Sequence, residues 1–290
     1  MKSRACVAIL SFHFLVSVLA AETPFDLPAE TKKADAGNAD AQYAVGRAYF
    51  KADGAPRDFA KAADYFRKAA AQGHAKAQTN LGGMYIEAQG VPQDRAEAMR
   101  LFMEAAKQND AVAQTNLGWM HASAQGTAKN MDEALRYYRL AAEADQADAQ
   151  LRLGDILLKG TDGVTKDYAE AARWLKQAAK QGKAAAQNSL GVMCENGFGM
   201  EPNLAEAVQW FRAAAERGEP RGQMNLGRMY DKGTGVEADA VQACMWLTLS
   251  KDQGEMTGQN YLKDLLINGR ATQRQLAEGI ARAKAFVPKR

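Results

Sequence analysis

Histidine, cysteine and acidic side chains are the groups here that could hold a metal, attack a carbonyl or move a proton, and they are sparse. The histidines are His13, His74 and His121. A metal site needs ligands a few residues apart on one helix face, or paired across a turn. Neither His74 nor His121 has a Cys, His or carboxylate at such spacing. His74 follows Gly73 and is expected at the surface. His121 stands where Tyr85 and Tyr230 stand in their own units and is read as a packed substitute for tyrosine. The cysteines are Cys6, Cys194 and Cys244. An oxidising compartment could join the last two, but they occupy different places in the period found below and suit a role as small core residues. Glu97, Glu133, Glu170 and Glu206 could suggest an acid–base pair. They recur at one place in four successive units, which points to a solvated outer stripe. Gly197–Phe198–Gly199 and Gly233–Thr234–Gly235 are G-x-G pairs without a third glycine or a preceding strand, so they mark turns and not a nucleotide loop. The phosphate-loop, C-x-x-C, H-E-x-x-H and G-x-S-x-G patterns are missing. No catalytic, metal or cofactor-binding residue is assigned.

The chain organises itself differently, by repetition. AQTNLG at Ala77–Gly82 returns at Ala113–Gly118. The same interval separates Gln42, Gln78, Gln114 and Gln150, then Gln187, Gln223 and Gln259, every step being 36 residues except one of 37 between Gln150 and Gln187. Gly46, Gly82, Gly118, Gly154, Gly191 and Gly227 follow four residues behind. A second glycine comes next: Gly54, Gly90, Gly126, Gly163, Gly199 and Gly235. Then comes an Asp or Asn: Asp58, Asp94, Asn130, Asp167, Asn203 and Asp239. Alanine pairs such as Ala69–Ala70 and Ala105–Ala106 close each unit but the sixth, which has Leu249–Ser250. Self-similarity at this interval is the mark of a repeat array.

Each landmark has a local physical role. Ala77, Leu81, Met84 and Tyr85 lie on one face of a helix, and Ala98, Leu101, Phe102 and Ala105 do so on a second. Gly90 is expected to supply the left-handed residue that ends the first helix, Asp94 to cap the second, and Gly73 to close the unit before. The mid-helix glycines should each cost about 1 kcal/mol against alanine. Their recurrence makes sense if the missing side chain lets a neighbouring helix approach closely, so Gly82→Leu should overpack the unit.

The motif A-Q-x-x-L-G-x-M-Y, then G-V-x-x-D, then A-x-x-x-F-x-x-A-A resembles the Sel-one-like repeat (SLR) family, a branch of the tetratricopeptide-type helical repeats. The resemblance covers six units over residues 37–252. It implies an all-α, right-handed solenoid of helix–turn–helix repeats with a concave groove lined by the first helices. Residues 21–36 are read as an N-terminal extension with a capping helix, Leu27–Ala36, and residues 253–290 as C-terminal capping helices. Gln259–Ile267 resembles a first helix with Lys263 in place of the packing glycine. Thr272 and Gln275 form a capping box for the last helix, whose apolar face is Leu276, Ile280 and Ala283.

Residues 1–20 have Lys2 and Arg4, an apolar run of roughly 16 residues and a Val18–x–Ala20 ending, the layout of a secretory signal cut after Ala20. The run is short for a bilayer span of ~20, which disfavours the alternative of an uncleaved anchor. Cleavage removes the charges of Lys2 and Arg4, lowering the net charge from +3 to about +1. Such a chain offers no electrostatic case for nucleic acid or an anionic membrane. A periplasmic or secreted location in a bacterial envelope follows from signal and repeat together.

Two positions on the first helices vary from unit to unit. One holds Arg47, Gly83, Trp119, Asp155, Val192 and Arg228. The other, four residues earlier, holds Tyr43, Thr79, Thr115, Leu151, Asn188 and Met224. Helical steps of ~100° place both away from the Leu81-type core face, and the family resemblance turns that side toward the groove. Tyr43, Arg47, Thr79, Thr115, Trp119, Asp155, Asn188 and Arg228 are therefore the candidate contacts for a protein or peptide, with Trp119 the most telling because large aromatics anchor interfaces. An unused solvated face would vary in the same way. SLR proteins are commonly adaptors in assembly and signalling, and some have been associated with β-lactam binding or hydrolysis. The S-x-x-K, S-D-N and K-T-G set is missing here. The reading is an exported, non-enzymatic interaction module, with a cell-wall-related enzyme or small-molecule binder as the alternative.

Overall fold

The computed structural model describes residues 25–289. The proposed signal and its cleavage site lie outside the described residues. Those residues are all-helical. A capping helix α1 (Leu27–Asp35) precedes six antiparallel pairs: α2 (Ala39–Lys51) with α3 (Phe59–Ala71), α4 (Ala75–Glu87) with α5 (Arg95–Lys107), α6 (Ala111–Ala122) with α7 (Met131–Glu143), α8 (Ala147–Lys159) with α9 (Tyr168–Lys180), α10 (Ala184–Asn196) with α11 (Leu204–Glu216), and α12 (Pro220–Lys232) with α13 (Ala240–Asp252). Helices α14 (Met256–Ile267) and α15 (Gln273–Ala285) close the stack. Each helix from α1 to α13 packs on the next, and α15 packs back on α13 beside α14, so the core runs as a seam along a solenoid. The first helices also touch the first helices of neighbouring units, α8 with α10, α10 with α12 and α12 with α14, and thus form the inner face.

Helix starts follow the predicted caps. The side chains of Asp58, Asp94, Asn130, Asp167, Asn203 and Asp239 accept the backbone N–H of Lys61, Glu97, Glu133, Glu170, Glu206 and Gln242 at 2.8–3.1 Å. Thr272 and Gln275 make the reciprocal capping box on α15. Helix ends are partly different. Gly73 does close α3 with positive φ, the His74 N–H reaching back to the Ala69 carbonyl. The first helix of the next unit, however, is ended by Ala88 in the left-handed region, two residues before Gly90. Gly90 serves contact instead: a Cβ there would sit 2.3 Å from the Phe59 carbonyl, so the loop could not rest on the preceding unit.

The mid-helix glycines receive bulky side chains from the second helix of their own unit. An ideal Cβ on Gly46, Gly82, Gly118, Gly154, Gly191 or Gly227 would lie 2.5–2.8 Å from Phe66, Phe102, Tyr138, Leu175, Phe211 or Leu247 respectively. All six partners are buried. The helix-propensity loss is offset by filling each intra-unit seam with a large ring or leucine.

A second periodic device couples the units. The buried Gln42, Gln78, Gln150 and Gln223 side chains donate to the last-turn carbonyls of Ala34, Ala70, Ala142 and Ala215 in the preceding unit. Their own carbonyl oxygens accept from Gln72, Gln108, Gln181 and Gln253, which sit at the end of the same unit. The corresponding position is Ala144 in the third unit and Arg217 in the fifth. There the buried Oε1 atoms of Gln114 and Gln187 have no hydrogen-bond partner among the described residues.

Candidate functional site

The inner face is not uniform. On its C-terminal half, polar side chains of neighbouring first helices are bonded to each other. Arg228 on α12 makes a double hydrogen bond to Glu195 on α10, at 2.8 and 2.6 Å. The Asn225 amide donates to Asn188 at 2.9 Å, and the Ser189 hydroxyl donates to Asp155 at 2.8 Å. Asp155 also pairs with Lys159. Three predicted contacts, Asp155, Asn188 and Arg228, are thus engaged in holding units together, and Asn188 is only 9% exposed. Thr79 is likewise buried, at 6%, so it presents no free side chain to a partner. Helical phase alone put these residues on the outward side of their helices. In the C-terminal half, the neighbouring first helix then engages Asp155, Asn188 and Arg228.

The N-terminal half is more open. Trp119 is 37% exposed and Val112, two turns before it, 48%. They floor a cleft of about 360 Å³ between α4, α6 and α8. Thr115 lines the same cleft, while Gly83, Ile86 and Glu87 come from α4, and Asp148 and Arg152 from α8. The Thr115 hydroxyl donates to the Ala111 carbonyl, which leaves its methyl group as a surface. Farther toward the N-terminus, Arg47 is exposed and lies over the ring of Tyr43 at 5.8 Å, and Tyr43 in turn stacks on His74 at 4.6 Å. The structure thus brings Thr115 and Trp119 together in one cleft and Tyr43 and Arg47 in another cluster. Ile86, Glu87, Val112 and Arg152 were not among the predicted contacts. Val112 had a signal: the corresponding positions hold Asp40, Lys76, Asp148, Ala185 and Arg221, so a large apolar residue there is out of pattern.

The other chemistry-bearing residues have structural roles. His74 is not at the surface: its Nδ1 accepts the Ala77 N–H at 3.1 Å as the cap of α4. His121 packs parallel to Tyr137 with ring centres 5.8 Å apart, as a tyrosine substitute should. The four glutamates are half-buried rather than simply solvated. Arg100 and Arg136 hold Glu97 and Glu133, and the Trp210 indole donates to Glu206. Glu170 accepts from both Arg139 and the Trp174 indole, and the Arg139 bond, with a smaller contribution from Trp174, lowers its pKa below the ordinary value. Cys194 and Cys244 are free buried thiols, each pushed up to about 11 chiefly by burial. A thiol so protonated is a poor nucleophile. Among the described residues no group of three or more His, Cys, Asp or Glu side chains is placed to hold a metal ion.

Comparison with known proteins matches this architecture. The Sel1 repeat model fits residues 39–74, 75–110, 111–146, 147–183, 184–219 and 220–255 in succession. A protective antigen present in uropathogenic Escherichia coli strains, which displays an SLR fold, is 36% identical with a TM-score of 0.77. The alignment covers 90% of this chain and 56% of that one, so the present chain spans just over half of its relative. A Sel1 repeat protein from Oxalobacter formigenes is 28% identical with a TM-score of 0.74, over 86% of this chain and 97% of that one. No curated protein matches the chain. With six consecutive units matched, from residue 39 to residue 255, the chain belongs to the Sel1 repeat family.

Proposed function

We propose that this protein is an exported interaction module, an adaptor or regulator without catalysis of its own, that holds a protein or peptide against the N-terminal half of its inner face. The observation that carries the reading is the open apolar floor around Trp119. A large aromatic left 37% exposed in a concave surface is the kind of residue that anchors a partner. Sel1 repeats commonly mediate protein–protein contact, which agrees with it. No helix among the described residues is long and apolar enough to cross a membrane.

The test compares capture from a bacterial envelope fraction by the wild type and by a Trp119→Ala, Arg47→Glu variant. Both residues are exposed, so the variant should retain its helicity. Arg228 is left untouched because Glu195 needs it. One protein enriched by the wild type and lost with the variant is the expected result. A partner retained equally would move the site off this face. Saturable β-lactam binding or turnover, with no protein partner, would replace the interaction reading by the small-molecule one. Export is checked separately: the intact mass of the envelope-derived protein should begin at Ala21.

A further inference from the structure

Gly82 and Gly83 are adjacent in α4, and only the first is explained by packing. A Cβ on Gly82 would strike the Phe102 ring at 2.7 Å, whereas a Cβ on Gly83 would meet nothing within 4 Å. Gly83 therefore carries the propensity loss of a helix-interior glycine with no contact inside the protein to offset it. The corresponding position elsewhere holds Arg47, Trp119, Asp155, Val192 or Arg228. What the missing side chain does is leave the wall of the Trp119 cleft open.

A second feature of the cleft is independent of the first. Tyr138 lines it and is 2% exposed. Desolvation pushes the Tyr138 pKa up to about 12, so the hydroxyl remains a donor at neutral pH. The rims carry the third feature. Glu87 on α4 and Arg152 on α8 face the cleft from opposite sides, and neither has an oppositely charged partner within 4 Å among the described residues. Asp148, between them and the next unit, is already held by Lys183 at 2.6 Å.

We propose that the Trp119 cleft is a subsite for an extended peptide carrying one bulky apolar side chain between a basic and an acidic residue. The apolar side chain enters the space over Gly83 and lies on Trp119, Val112 and Ile86. The basic neighbour pairs with Glu87 and the acidic neighbour with Arg152. A backbone carbonyl of the peptide accepts from the Tyr138 hydroxyl. The volume of about 360 Å³ is at the low end for a ligand site, which suits one side chain with its adjoining backbone. A neutral sugar stacked on the indole would leave the two opposed charges unused, and for that reason a peptide is favoured. The proposal rests on the interaction reading above and gives it a chemistry.

The experiment follows the Trp119 indole N–H resonance, one of four tryptophan signals, assigned with Trp119→Phe. The probes are the blocked pentapeptides acetyl-Gly-Lys-Leu-Asp-Gly-amide and acetyl-Gly-Asp-Leu-Lys-Gly-amide, since either chain direction fits. One of the two should shift the signal saturably, and serine in place of leucine should abolish saturation. Gly83→Leu fills the slot without a backbone clash, so it should keep the wild-type melting temperature or raise it. It should weaken binding by about tenfold or more, as expected when a pocket is occupied by its own wall. Glu87→Gln and Arg152→Gln should each weaken it by about threefold, the scale of an exposed ion pair. Silence with both peptides, or equal binding by Gly83→Leu, overturns the proposal. A saturable shift with chitotetraose and none with the peptides overturns it in favour of a sugar. If an envelope protein is still captured through Trp119 while the peptides remain inert, the interaction reading stands and only this chemistry fails.

Discussion

The two halves of the inner face are built from the same repeat and use their side chains oppositely. Around α10 and α12, Arg228 with Glu195 and Asn188 with Asn225 are bonded across neighbouring first helices. Around α4 and α6, the equivalent surface holds Gly83, Val112 and Trp119, which make no such bonds. Polar groups pointing into a shared, partly covered strip must find partners or lose their hydration, and in the C-terminal half they find each other. The N-terminal half leaves apolar area and single charges uncovered. A repeat protein can therefore assign one half of its face to rigidity and the other to contact without changing its backbone.

The comparison can be broken most directly in the C-terminal half. Glu195→Ala strands the largely buried Arg228 guanidinium and should cost about 3 kcal/mol, while Trp119→Ala should cost well under half of that. Urea unfolding followed by circular dichroism reads both, and the reverse order would remove the distinction. Gly82→Leu should come next, losing about 1–3 kcal/mol by forcing the Phe102 ring out of its seat. A melting temperature that does not change would show that the seam is not tight. Its neighbour should behave with opposite sign: Gly83→Ala should gain up to about 1 kcal/mol, measured in the same urea series. The smallest effect concerns the glutamine couple. Ala144→Gln should supply the bond that the Gln114 oxygen lacks and add about 0.5–1 kcal/mol, seen as a rise in the midpoint. No rise would mean that solvent already satisfies that oxygen.

The helices, their caps and their register were legible because each depends on residues close together in sequence. Asp94 and the residues it caps are three apart, and Thr272 with Gln275 the same. The packing glycines were legible as a periodic anomaly, a helix-breaking residue kept six times, although the ring or leucine that fills each seam lies about twenty residues farther on and had to be seen. Ala88 was missed as the helix terminator because an alanine in the left-handed region announces nothing in sequence, while Gly90 nearby does. In the candidate site, Trp119 stood out through its size. Thr79 and Asn188 lie buried and Arg228 is bonded to Glu195, which helical phase alone does not reveal. Their burial depends on how adjacent units lean together, a quantity to which no single helix holds the answer. The Gln72, Gln108, Gln181 and Gln253 set recurs at the unit interval and could have been found by the same search that found Gln78.

That glutamine couple has a mechanical consequence. It ties four of the six first helices both to the unit before them and to the end of their own unit, and it is incomplete at Gln114 and Gln187. Stretched from its two ends, the stack is a ladder with two thinned rungs. Extension under load should begin at the third and fifth units, so that the chain lengthens in steps set by where a glutamine is missing rather than peeling evenly from its tips.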